Sequence, residues 1–140
     1  GWDPLPLDDL VARIIRACLV SLPHDRRVSV AVSPSPVRVT SDQAHNLALV
    51  INELTTNTIK HAIGTRNTAH ITCRITLDDG TVCCEFRDDG PGYSQDVLQP
   101  DHHNVGFDLI QKIVRKGLRG ELSLHNDRGA VTIIRFKAEA

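Results

Sequence analysis

Three polar side chains, Glu53, Asn57 and Lys60, recur at i, i+4 and i+7 in a stretch whose apolar residues have helical spacing. Turned at about 100° per residue, they fall within roughly 60° of arc, beside the apolar stripe and not opposite it. An amide oxygen is a hard ligand for Mg2+, a lysine offsets phosphate charge, and a carboxylate orients water or a hydroxyl, so the trio suits Mg-ATP. The same spacing also describes a solvated helix face carrying a Glu-Lys pair. Farther along, Asp88 closes an apolar run and is followed by Gly90 and Gly92, which puts a carboxylate where glycines let a ligand approach the backbone. Such a carboxylate can accept a hydrogen bond from the exocyclic amine of adenine, although Asp-Gly and Pro-Gly dipeptides also mark ordinary turns. Gly106 stands where a third helix should begin; free N–H groups at a helix start suit phosphates, and a flexible helix entry is the plainer alternative.

The elements that would hold these residues follow from periodicity. Residues 7–22 carry the i, i+3, i+4 pattern of an amphipathic helix. Residues 28–32 and 37–39 read as two short strands around a turn, and Pro34 and Pro36 suggest an edge position. Thr40 and Gln43 have capping-box spacing, which opens a long second helix lasting until Gly64, with Leu47, Ala48, Ile51, Leu54, Thr58 and Ala62 on its core face. Residues 70–77 and 82–87 flank Asp78-Asp79-Gly80 as a hairpin. Residues 93–104 lack a period and read as a loop, long enough for a compact domain to suggest a functional segment. A third helix over about 105–116 stops near Gly117, and residues 121–125 and 130–136 form a second hairpin around Asp127-Arg128-Gly129. This order implies an α+β two-layer sandwich, a mostly antiparallel sheet with three helices on one face.

Composition narrows the partners. With 140 residues, 41% hydrophobic and 24% charged, the chain fits a single domain spanning residues 1–140. A formal net charge of -1 gives no broad attraction to nucleic acid or an anionic membrane, and no apolar run approaches the roughly 20 residues of a spanning helix. Neither nucleic acid nor direct membrane contact is expected, and the cytoplasm is the expected location. Cys18, Cys73, Cys83 and Cys84 lack C-x-x-C spacing and read as reduced, mostly buried thiols. The absence of methionine and the opening Gly1-Trp2-Asp3-Pro4 suggest a piece excised from a longer protein.

Read in order, Asn52-Glu53-Leu54-Thr55-Thr56-Asn57-Thr58-Ile59-Lys60-His61-Ala62, Asp88-Asp89-Gly90-Pro91-Gly92 and Gly106-Phe107-Asp108-Leu109 resemble the N, G1 and G2 boxes of the gyrase, Hsp90, histidine kinase and MutL ATPases, the GHKL superfamily. The first box looks most like sensor histidine kinases of the HWE and HisKA_2 groups. The resemblance implies a Bergerat fold that binds ATP and Mg2+. In it Asn57 would ligate Mg2+, Glu53 would sit near the metal and the γ-phosphate, and Lys60 would meet a phosphate. Asp88 would take the adenine amine, Gly90 and Gly92 would shape the adenine pocket, Gly106 and Phe107 would approach the nucleotide, and residues 93–105 would form an ATP lid. His61 would pack or hydrogen-bond near the pocket. The phosphoryl group would pass to a histidine on a dimerisation and phosphoacceptor domain of the same protein, and indirectly to a response-regulator receiver domain. The domain alone is not expected to autophosphorylate.

The chain departs from that pattern in three places. Asn104-Val105-Gly106-Phe107 replaces Gly-Leu-Gly-Leu, Gly129-Ala130 replaces Gly-Thr and leaves Thr132 as the candidate substitute hydroxyl, and no lysine or arginine lies between Asp88 and Gln111. His102 and His103, beside Asp101, lack further ligands at zinc-site spacing. Two alternatives stand beside the histidine kinase reading: an anti-sigma-factor-type serine kinase, and a degenerate nucleotide-binding or interaction module without kinase activity.

Overall fold

A computed structural model of the chain describes residues 5–63, 66–99 and 105–139. In chain order these form strand β1 (Leu5–Pro6), helix α1 (Leu7–Leu19), strands β2 (Arg27–Val32) and β3 (Arg38–Val39), and helix α2 (Ser41–Thr58). Strands β4 (Thr68–Asp78) and β5 (Thr81–Asp88), helices α3 (Gln95–Leu98) and α4 (Val105–Lys112), and strands β6 (Glu121–Asn126) and β7 (Ala130–Lys137) follow. Helices α2 and α4 each run on into a π-helical turn, Ile59–Ile63 and Ile113–Gly117.

Five strands join in the order β2-β4-β5-β7-β6, with only β2 and β4 parallel, so the sheet is mixed and mostly antiparallel. Alternate residues turn inward: Ile71, Cys73 and Ile75 of β4, Val82, Cys84 and Phe86 of β5, Ile134 and Phe136 of β7. They pack against Val11 and Ile15 of α1, Leu47, Ile51 and Leu54 of α2, and Ile110 of α4, so these three helices share one core with one face of the sheet. The α+β sandwich expected from the order of elements is the observed architecture.

Helix α2 begins as its spacing predicts. The Thr40 hydroxyl accepts the Gln43 N–H at 3.2 Å, and the Gln43 amide oxygen accepts the Thr40 N–H at 3.1 Å. The Gln43 amide also donates to the Lys137 carbonyl at 3.0 Å, which ties this helix start to the end of β7. Asp79 and Gly80, at φ 50° and 78°, make the two-residue turn between β4 and β5, the left-handed pair that Asp-Gly adopts readily.

Three details differ from the sequence reading. Strand β2 is an edge, but β3 does not fold back on it; β3 pairs antiparallel with β1 in a separate two-stranded sheet. Prolines 34 and 36 cannot donate to a ladder, and the Asp8 carboxylate accepts the Ser35 N–H at 3.0 Å, which steers this segment toward the start of α1. The stretch read as a loop contains a helical turn, α3, whose cap is Ser94 accepting the Val97 N–H. The expected core arc of α2 is incomplete, because Ala44, Val50 and Thr55 are buried and Ala48 is only half-buried. Gly64, residues 100–104 of the expected lid, and with them Asp101, His102, His103 and Asn104, lie outside the described residues.

All four cysteines are free; Cys73 and Cys84 are buried, and Cys18 and Cys83 half-buried. Among the described residues no helix is long and apolar enough to cross a membrane.

Candidate nucleotide-binding site

One wall of a cavity of about 400 Å3 comes from α2 and its π-helical turn. Leu54, Asn57, Thr58, His61 and Ala62 line it, at i, i+3, i+4, i+7 and i+8, one continuous helix face. That face mixes apolar carbon with an amide, a hydroxyl and an imidazole, the composition of a small-molecule pocket, and the volume lies within the roughly 300–1,000 Å3 such pockets occupy.

An adjoining wall is built around Asp88, the last residue of β5. Its Oδ2 accepts the Thr58 hydroxyl at 3.1 Å, and its Oδ1 accepts the N–H of Gly90 at 2.9 Å and of Ala130 at 3.3 Å. Donors from α2, from the turn after β5 and from the start of β7 therefore fix one carboxylate from three sides. Glycine is required beside it: a Cβ on Gly90 would stand 2.5 Å from the Ala62 Cβ. The neighbouring Asp89 faces away into a second cluster, where it accepts the His70 N–H at 2.8 Å and pairs with Arg66 at 3.2 Å. Burial acts to raise the Asp89 pKa, but the His70 N–H and the Arg66 guanidinium outweigh it and hold the carboxyl below its usual range.

The third side is the polypeptide leaving the glycine turn. Gly92, at φ +87°, reverses the backbone, and Asn126 at the end of β6 then grips Tyr93 twice, accepting its N–H at 2.7 Å and donating to its carbonyl at 2.9 Å. The Tyr93 hydroxyl hydrogen-bonds that of Thr132, which is fully buried in β7. The Tyr93 ring meets Phe107 of α4 edge-on, with centroids 5.2 Å apart and planes at 84°. Both rings line the cavity.

Of the residues singled out from sequence, the structure brings Asn57, His61, Asp88, Gly92 and Phe107 to the cavity wall. Gly90 adjoins it through its N–H to Asp88 and its close approach to Ala62. Gly106 sits in the first turn of α4, next to Phe107. Glu53 and Lys60 are not among the cavity's lining residues. The lining face of α2 extends from Asn57 toward Leu54 and Thr58, while Glu53 and Lys60 lie on the far side of Asn57, half-buried and exposed. Thr132 lies beneath Tyr93 and not at the wall. Sequence reasoning assigned Thr58 to the core, placed Tyr93 only within the expected lid and noted Ala130 only as a departure from the family pattern; the pairing of Thr58 with Asp88 spans 30 residues and leaves no local signal.

A fixed carboxylate between apolar walls, with an amide and an imidazole nearby, suits a small molecule that is partly apolar and partly hydrogen-bonding. Residues 42–140 match the family of histidine kinase-, DNA gyrase B-, and HSP90-like ATPases, and the chain belongs to that family. Membership of this ATPase family supports ATP as the ligand of the domain. In sequence the chain is 26% identical, over 86% of its length, to blue-light-activated histidine kinase 2 of Erythrobacter litoralis, of which it spans 34%. In structure it is similar to the histidine kinase domain of an Erythrobacter litoralis blue-light-activated histidine kinase, with a TM-score of 0.80 at 23% identity, over 99% of this chain and 65% of that one. The catalytic domain of histidine kinase ThkA superposes at a TM-score of 0.72 and 16% identity, over 99% and 97% of the two chains. The domain is thus homologous to histidine kinase catalytic domains, and no finding favours the serine kinase or degenerate-module alternatives.

Proposed function

We propose that this chain is the ATP-binding catalytic domain of a two-component sensor histidine kinase, which holds Mg-ATP for phosphoryl transfer to a histidine on a separate domain. The observation that carries the proposal is the convergence of Asp88, fixed by Thr58, Gly90 and Ala130, with Asn57 and His61 on one cavity. Mg-ATP would supply the phosphoryl group, and its metal would neutralise developing charge. Asp88 would accept a hydrogen bond from the adenine amine, between the apolar carbons of Leu54, Ala62 and Phe107. Asn57 would offer its amide oxygen to Mg2+, a hard ligand for a hard cation. Lys60, exposed one turn along, would reach a phosphate, and Glu53 on the same side of Asn57 would orient water or the metal. Gly106, in the first turn of α4, would let phosphate approach helix N–H groups.

The partner in this reading is a dimerisation and phosphoacceptor domain of the same protein, with a response-regulator receiver domain downstream and a cytoplasmic setting for all three. Its support is that the matched relative extends well beyond the region this chain spans and is named a histidine kinase. Neither nucleic acid nor direct membrane contact belongs to the scheme.

The test is calorimetric titration with a non-hydrolysable ATP analogue, with and without Mg2+. Asp88→Asn should weaken binding about tenfold or more, and Asn57→Ala should abolish the gain that Mg2+ gives the wild type. Undiminished binding in both variants would sink the assignment.

A further inference from the structure

Tyr93 is the only tyrosine of the chain, and four residues from four elements converge on it. Asn126 holds its backbone through two hydrogen bonds, Thr132 meets its hydroxyl, Phe107 meets its ring, and the Asp88 carboxylate is near enough to act on its phenol electrostatically. Those interactions make the position of the ring a property of β6, β7 and α4 together. The ring in turn lines the nucleotide cavity next to the carboxylate expected to read the base.

The hydroxyl is the unusual part of this arrangement. Thr132 lies on the inward face of β7, where Ile134 and Phe136 are apolar and equally buried. A threonine there needs a polar partner, since a buried hydroxyl left unpaired loses its hydration without compensation. Besides the phenol, no hydrogen-bonding partner of the Thr132 hydroxyl is seen among the described residues. The phenol has the same requirement, being largely buried itself. Each group therefore satisfies the other, 39 residues apart in sequence, and together they fix the ring at one depth.

We propose that Tyr93 is a positioning residue of the nucleotide site, its hydroxyl bond to Thr132 setting the orientation of the ring that, with Phe107, bounds the pocket beside Asp88. This deepens the ATP-binding reading and rests on it. A ring already held in place leaves less freedom to be lost when a nucleotide binds, so affinity depends on a bond that never touches the ligand.

The experiment is a double-mutant cycle on binding of a non-hydrolysable Mg-ATP analogue by the whole chain, using Tyr93→Phe, Thr132→Val and both together, with thermal melts recorded in parallel. Tyr93→Phe and Thr132→Val should each weaken binding roughly three- to tenfold, because each strands the other's hydroxyl in an apolar site. The double variant should bind no more weakly than either single one, the mark of two changes that break one bond. Thr132→Ser, which keeps the hydroxyl, should restore wild-type affinity. Singles that lower the melting temperature while affinity stays within twofold of wild type would overturn the positioning role and leave Thr132 as packing alone. So would additive losses of affinity in the double variant. Asp88→Asn serves as the reference: if it loses binding while the Tyr93 and Thr132 variants keep it, the ATP site stands and this inference falls. If the wild type fails to bind the analogue at all, both fall together.

Discussion

The Thr58 hydroxyl and the Asp88 carboxylate meet at 3.1 Å, joining the last turn of α2 to the last residue of β5 and so closing one corner of the cavity proposed to hold ATP. Thr58 also lies 3.2 Å from the Leu54 carbonyl, the partner a helical threonine finds when nothing better is offered. Its single proton is therefore shared between a helix carbonyl and a charged acceptor, and the charged one binds it more strongly. Thr58→Val, which keeps the shape and removes the hydroxyl, leaves Asp88 with two donors instead of three. Affinity for an ATP analogue should fall about five- to tenfold, near 1 kcal/mol. Thr58→Ser should stay within about twofold, and calorimetry of the two variants side by side decides the matter.

Gly90 yields a prediction about stability as well as binding. A Cβ at this position would stand 2.5 Å from the Ala62 Cβ and 2.6 Å from its Cα, and the second of these is backbone of the π-helical turn that cannot swing away. Overpacking of this kind costs about 1–3 kcal/mol. Gly90→Ala should lower the urea midpoint accordingly and weaken nucleotide binding, since the shift is transmitted to His61 and Asp88 on either side of the clash. Ala62→Gly in the same chain removes the clashing methyl but leaves the helix backbone in the way, so recovery should be partial. A Gly90→Ala protein with unaltered midpoint and affinity would show that the turn is not packed as described.

The legibility of this domain in its sequence divides by range. The capping box at Thr40 and Gln43 and the Asp79-Gly80 turn are written in neighbouring residues, and both form as their spacing predicts. The face of α2 that lines the cavity is legible only in part. Polar type and helical spacing single out Glu53, Asn57 and Lys60, whereas the lining face runs from Asn57 through Thr58 and His61 to Leu54 and Ala62. Thr58 hides in the apolar arc, because a hydroxyl on a buried face reads as core until its partner is known. Tyr93, Asn126 and Thr132 come together only when β6 and β7 pair and bring their ends against the glycine turn. Pairings across 33 and 39 residues have no periodicity to reveal them. The partner of strand β3 escapes for a similar reason, as β1 lies on the far side of α1 in sequence.

Asp89 should make the domain sensitive to acid. Its carboxyl is held below the usual range in the fold, burial acting upward and the His70 N–H and Arg66 acting downward more strongly. The folded protein thus binds the Asp89 proton less readily than the unfolded chain does. The stabilisation is present above the unfolded carboxyl value of about 4 and is lost as pH falls through the lower folded value. With side chains 42% and 34% exposed, the Arg66–Asp89 pair is screened by water, so the effect should be no more than about 1 kcal/mol. Urea titrations between about pH 6 and pH 3 should show Asp89→Asn less stable than the wild type at the upper end, with the difference shrinking toward the lower end. A gap that stays constant across the range would mean that Asp89 acts through shape and not through its charge.

Tyr93 marks the opposite limit of pH. Desolvation is the main cause raising its phenol to about 12, the Thr132 hydrogen bond acts in the other direction, and the Asp88 carboxylate adds to the rise. Because the folded value exceeds the unfolded value of about 10, the neutral phenol contributes stability that is intact below about pH 10. That contribution drains away as pH rises from there through about 12. The rise from about 10 to about 12 corresponds to an order of 2–3 kcal/mol, a substantial share of the marginal stability of a small domain. As no other tyrosine is present, phenolate absorbance reports this group alone. Ionisation should be steep and coincide with the loss of helical circular dichroism, because the ring must leave its place between Thr132 and Phe107 before it charges. Tyr93→Phe should remove the absorbance change and move alkaline unfolding to higher pH. A gradual phenolate signal near pH 10, with the helices intact, would place the hydroxyl in water and break its link to the pocket.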